Sequence, residues 1–317
     1  MAAMRVLINH RAAAAGVACL VVVAVAVWLL LAGGSDRRPR SPATTAPAAR
    51  AAGTRERGRA PPHPAVSHPD APHTLAAAIN AAQRVIDAPG TSTLQLQAAG
   101  RREQLAVLRL EHMGGRARRG TLRLLSRPAA RGVRAALQAD SDLSGLAIAE
   151  RRLPPWRIIS PPPVRVLMGY FRAGQAQYGI PWEDLAAIEF IETHFGRIRG
   201  ASPVGAQGPM QFMPATWAQF GHGSINDPRA AILAAARYLH SNGAPRDMPD
   251  ALYHYNNSID YVRAVGAYAA AMRADPRLLD GYYQWQVIYT YAGRTVVLPV
   301  GFPRSRPVTL AAAHRRR

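Results

Sequence analysis

The sequence predicts a mainly α chain with a short β segment near its C-terminal end. Three observations carry that prediction. Apolar residues recur at helical spacing over most of the chain beyond residue 74. Prolines and glycines punctuate those stretches where helices start and stop. Runs that look like strands occur only in the last part of the chain, at 286–290 and 295–298.

Taken in order, Leu75, Ile79, Ala82 and Ile86 set a first helical spacing, and residues 104–113 and 120–138 continue the pattern. The proline-rich stretch LPPWRIISPPP, 153–163, breaks it and marks a boundary. Beyond it, helices are expected over 164–178 (ended by Gly179), 181–195, 228–241 and 258–273, with a short helix from Pro214. Pro181 and Pro228 sit where a first helical residue tolerates proline, and Asp227 is placed to cap the helix that follows.

Upstream, residues 12–33 hold a nearly uninterrupted apolar, uncharged run, about the length a helix needs to cross a bilayer. It is long for the apolar core of a signal peptide and has no clear small-x-small cleavage site, so an uncleaved anchor is expected. Residues 1–11 then form a cytoplasmic N-terminus. Residues 34–73, rich in Pro, Ala and Arg, read as an extended spacer. A helical accessory region over 74–160, a catalytic region over 161–276, and short strands with a basic tail over 277–317 complete the organisation.

The formal net charge of +20 is carried by arginine alone and is unevenly placed. Nine arginines and eight carboxylates make the stretch 164–274 nearly neutral, while the surplus lies in 37–59, 101–157 and 315–317. A nucleic-acid enzyme concentrates positive charge around its site, so nucleic acid is not the expected partner. Flanking charge suits loose attraction to an anionic wall polymer or lipid surface. The single cysteine, Cys19, lies in the apolar run, which excludes an intrachain disulfide and a thiolate metal site. Histidines show no ligand spacing, so no metal and no cofactor are expected.

Candidate chemistry centres on PWEDLAAIEFIETHFG. On a helical wheel, Leu185, Ile188 and Phe195 define an inward stripe with Glu192 in its middle. A desolvated carboxyl there would stay protonated near neutrality, as a general acid must. A core carboxylate satisfied by an arginine would give the same periodicity, and Glu189, one turn earlier, is the rival acid. Glu183 and Asp184 fit the first turn, where the helix dipole favours acidic residues. Downstream, GASPVGAQGPMQFMPATW combines glycines with Ser202, Gln207 and Gln211, neutral hydrogen-bonding groups suited to sugar hydroxyl and acetamido substituents.

ETHFGR (192–197), SPVGAQGPMQFMPATW, INDPRAAILAAARYLHSNGA (225–244) and YNNSIDYVRAVGAYA (255–269), in that order, resemble the lytic transglycosylases of the lysozyme-like superfamily, specifically the membrane-bound lytic murein transglycosylase B type. The resemblance spans about 164–274. It implies a lysozyme-like helical fold and cleavage of the glycan strands of peptidoglycan. It also implies Glu192 as the catalytic acid, with Ser202, Gln211, Tyr255 and Asn256 holding the saccharide and orienting the acid. One carboxylate then suffices, because the muramoyl C6 hydroxyl is the internal nucleophile and the product carries a 1,6-anhydro end. Some members carry an acidic calcium loop; the corresponding GHGSIND, 221–227, has too few carboxylates for that.

The other readings are a hydrolytic muramidase on the same fold and a non-catalytic peptidoglycan-binding protein. The expected protein is a monomer held at the cell membrane by a single span, with its catalytic region outside the cytoplasm. Arginines are more numerous after the span than before it, opposite to the usual bias, so this orientation rests on where the substrate lies.

Overall fold

Capping and proline chemistry mark out the first helices of the computed structural model, which describes residues 71–146, 151–292 and 294–309. They are α1 (Pro72–Asp87), α2 (Thr93–Glu111), α3 (Gly115–Arg123) and α4 (Arg127–Ser144). Ser92 and Gln95 start α2 as a capping box: Ser92 N donates to Gln95 Oε1 at 3.0 Å and Gln95 N donates to Ser92 Oγ at 3.3 Å. The single helix expected over 120–138 is two. α3 ends at Arg123, and α4 restarts at Arg127 with Pro128 in its first turn, where a missing N–H costs nothing.

Residues 153–163 do more than interrupt a helix. They carry β1 (Arg157–Ile158), paired antiparallel with β2 (Ile198–Arg199), which follows the Glu192 helix. Next come α5 (Val164–Tyr178), closed by Gly179 in the left-handed conformation, and α6 (Trp182–Thr193), with Pro181 at the capping position rather than inside the helix. The remaining helices are α7 (Pro214–Phe220), α8 (Pro228–Ser241), α9 (Met248–Tyr255), α10 (Ile259–Ala274) and α11 (Leu278–Tyr283). Strands β3 (Val287–Tyr291) and β4 (Arg294–Leu298) form a hairpin, with Val287 opposite Leu298, and β5 (Val308–Thr309) adds to β4. The protein is mainly α with a small C-terminal β segment, consistent with a lysozyme-like domain.

The main apolar core runs from α1 to α11, joining Ile79, Leu110 and Val133 to Phe171, Ile188 and Val265. Small residues let the N-terminal helices approach the rest. Ala129, Ala136 and Ala139 of α4 are buried where it lies along α10. A methyl at Gly100 of α2 would sit 2.4 Å from Gln284 Cβ, so only glycine admits the end of α11 there. A second cluster (Trp156, Ile158, Ile198, Val287, Leu298 and Phe302) ties the C-terminal hairpin to β1 and β2. The expected membrane span at 12–33, the residues around it up to 70, and the tail from 310 lie outside the described residues. Among the described residues no helix is long and apolar enough to cross a membrane.

Candidate active site

α6 sits in the middle of the core, with α5, α8, α10 and α11 all packing against it. Apart from Glu183, every residue from Trp182 to Thr193 is buried, so the expected inward stripe is replaced by a helix covered on all sides. Asp184 is engaged by Arg273 of α10 at 2.8 Å, an ion pair beyond the first-turn placement expected for it. The helix stops abruptly after Thr193: His194, Phe195 and Gly196 have φ of 51, 61 and 76°. For residues with a Cβ this conformation costs roughly 1–2 kcal/mol each, so the surroundings must hold it. Thr193 contributes. Its Oγ1 donates to Pro209 O at 2.6 Å and accepts from Gly196 N at 3.0 Å, tying the helix end to the glycine-rich loop.

Glu192 is 3% exposed and Glu189 is fully buried. Burial pushes both carboxyls up to about 8, opposed at Glu192 by its hydrogen bond from Tyr261 and at Glu189 by the charge of Arg199. Their partners differ. Tyr261 of α10 donates to Glu192 Oε1 at 2.7 Å, whereas both oxygens of Glu189 are without a hydrogen-bond partner among the described residues. Glu192 is therefore held in one orientation, protonated near neutrality, with a donor ready to support its ionised form.

The loop after β2 is shaped by its own hydrogen bonds. Ser202 Oγ accepts from Ala206 N at 2.9 Å and keeps a hydroxyl hydrogen to donate. Gln207 and Phe212 exchange backbone hydrogen bonds, at 2.8 and 2.9 Å, across a tight turn, and the Gln207 side chain is half-buried. At Gly208, with φ +77°, a Cβ would lie 2.0 Å from Ile225 O. Only glycine fits, and its carbonyl accepts from Gln211 Nε2 at 2.9 Å. Gln211 is itself left-handed, at φ 48°.

Tyr255, at the end of α9, links the two halves of the site. Its hydroxyl donates to Met210 O at 2.6 Å, and its ring stacks on Tyr261 at 6.4 Å between centroids and 4° between planes. Glu192, Tyr261, Tyr255 and the 208–211 turn thus form one connected assembly. Asn256 is buried beside it, and its Oδ1 has no hydrogen-bond partner among the described residues, an acceptor without a protein donor. Asp227 caps α8, accepting from Ala230 N at 2.7 Å.

Tyr261 and Thr193 carry no sequence signal that marks them as site residues. A tyrosine on a helical face reads as core, and a threonine at a helix end reads as nothing in particular. Only the fold aims their hydroxyls at Glu192 and Pro209. Among the described residues no group of His, Cys, Asp or Glu side chains is arranged to hold a metal ion.

Residues 169–277 match the family model of the transglycosylase SLT domain. The matched stretch starts inside α5 and ends just past α10, enclosing Glu192, the glycine-rich loop, Tyr255 and Tyr261. The match supports a lysozyme-like lytic transglycosylase whose substrate is peptidoglycan. No curated protein and no solved structure matches the chain.

Proposed function

We propose that this chain cleaves the β-1,4 bond between N-acetylmuramic acid and N-acetylglucosamine in peptidoglycan, leaving a 1,6-anhydromuramoyl end. The observation that carries the reading is Glu192: a protonated, buried carboxyl with one aligned donor, inside the stretch that matches the SLT family. Glu192 gives its proton to the glycosidic oxygen as the bond to C1 breaks. The resulting carboxylate takes the proton of the muramoyl C6 hydroxyl, whose oxygen closes on C1. The proton removed equals the proton given, and no water is consumed.

Tyr261 serves this cycle because its hydrogen bond strengthens as Glu192 ionises, when negative charge is present in a site with little water. Such acid–base help contributes about a hundred- to ten-thousandfold. Ser202, Gln207, Gln211, Tyr255 and Asn256 hold the saccharide, the unpaired Asn256 Oδ1 being suited to an acetamido N–H or a hydroxyl. The internal nucleophile is favoured over water because neither Asp227, which caps α8, nor Glu189, which is buried in the core, is placed to activate a water.

Within the class, the order and wording of the four motifs favour the membrane-bound B type. The apolar run at 12–33 is taken as its anchor, holding a monomeric, cofactor-free catalytic region against the wall outside the cytoplasm. The test is mass spectrometry of the soluble fragments released from purified peptidoglycan. Anhydromuramoyl ends support the transglycosylase, reducing ends would make the chain a muramidase, and no fragments would make it a wall-binding protein.

A further inference from the structure

A second group of unpaired polar atoms lies at the C-terminal end of α6, away from the groups assigned to the saccharide. There a cavity of about 20 Å³ opens between the N-terminal helices and α6, lined among others by Glu111 of α2, Asp140 of α4, His194, Tyr268 of α10 and Trp285. One water needs about 10–15 Å³ and two to four polar partners, so the space suits a single guest of that size. Glu111 Oε2, Asp140 Oδ1 and both ring nitrogens of His194 are buried without a hydrogen-bond partner among the described residues. Such atoms are rare in folded proteins, and here their residues share one cavity.

The protonation states are complementary. Burial, with some help from the charge of Arg197, lowers His194 to about 3, so its neutral ring offers one donor and one acceptor. Burial raises Asp140 to about 7 and, together with the charge of Asp140, raises Glu111 to about 9. The two carboxyls therefore titrate as a pair that keeps a proton at neutral pH. Of the other titratable groups nearby, Tyr268 stays neutral, its hydroxyl pushed up mainly by burial, and Glu103 accepts from Trp285 Nε1 at 3.2 Å.

We propose that Glu111, Asp140 and His194 form a positioning site for one bridging water, through which the N-terminal helices fix the end of α6 and hence the carboxyl of Glu192. His194 caps α6 in the left-handed conformation two residues after Glu192, so a water that holds its ring also holds that turn. The kinetic part of this proposal rests on the transglycosylase reading; the structural part does not. A displacement of about 1 Å at a reacting group can cost about a hundredfold in rate.

The test compares His194→Gln with His194→Met in the full chain. The two side chains are similar in size and bear the same left-handed backbone cost, but only glutamine hydrogen-bonds through both an acceptor and donors. Each is also combined with Asp140→Leu. The glutamine variant should melt near the wild type and the methionine variant well below it. The losses from His194→Met and Asp140→Leu should fail to add, because either removes the same bridge. In glycan cleavage, His194→Met should lose up to about a hundredfold in kcat at unchanged KM, with His194→Gln restoring most of it. Equal melting of the two variants, or additive losses, would overturn the site. A difference in melting with kcat unmoved would overturn the positioning role. If the wild-type chain released no fragments, the transglycosylase reading would fall while the melting cycle still decided the cluster.

Discussion

Replacing Tyr261 with phenylalanine should slow the enzyme while extending its activity to higher pH. Tyr261 donates to Glu192 Oε1 at 2.7 Å, and both residues are buried, so water cannot replace the lost hydroxyl freely. A hydrogen bond to a charged group contributes about 1.5–3 kcal/mol, and a neutral pair about 0.5–1.5. Tyr261 favours the ionised carboxyl by the difference, and each factor of ten corresponds to about 1.4 kcal/mol. Burial already holds Glu192 at about 8, above its ordinary 4.5, so the proton donor is present below that pH and lost as pH rises through it. Without Tyr261 the carboxyl moves higher still, and the alkaline limb of the rate profile shifts upward by about one pH unit. The plateau should fall by up to about tenfold, because the carboxylate formed after proton transfer loses that same preference. Release of soluble fragments from purified peptidoglycan, followed from pH 5 to pH 10, reads both effects. An alkaline limb that moved down, or a plateau equal to the wild type, would mean that Tyr261 does not support the ionised carboxyl of Glu192.

Other substitutions probe the frame around that carboxyl. Gly208→Ala should destabilise the chain by about 2–4 kcal/mol in urea unfolding, since the methyl meets Ile225 O and the residue is left-handed. Thr193→Val should cost about 1–3 kcal/mol in the same experiment, because it strands the buried Pro209 carbonyl, whereas Thr193→Ser should cost less.

Parts of this architecture are legible in the sequence for definable reasons. The helices at 164–178 and 228–241 carry signals at their ends, in Gly179 after one and Asp227-Pro228 before the other, and the structure places α5 and α8 on those bounds. The break between α3 and α4 has no glycine or proline at its centre, only Leu124, Leu125 and Ser126, so periodicity runs straight through it. α9 and α11 are too short for a period to register. β1 hides among prolines because its pairing partner lies some forty residues away.

At the candidate site the limits are different. A helical wheel picks out Glu192 only if α6 has an exposed face, and α6 has almost none. Burial and proton affinity are nearly the same at Glu189, so periodicity could not separate the two. What distinguishes them is a hydroxyl sixty-nine positions along the chain, and contact at that separation leaves no local mark in a single sequence.

The measurement that bears most directly on the central claim is the rate of glycan-strand cleavage at pH 6 by Glu192→Gln and by Glu189→Gln. At that pH both carboxyls are protonated, so glutamine nearly preserves shape and charge at each position, and only proton transfer is removed. Glu192→Gln should lose about a hundred- to ten-thousandfold, and Glu189→Gln should cleave at a rate close to the wild type. An active Glu192→Gln, or a loss confined to Glu189→Gln, would contradict Glu192 as the catalytic acid.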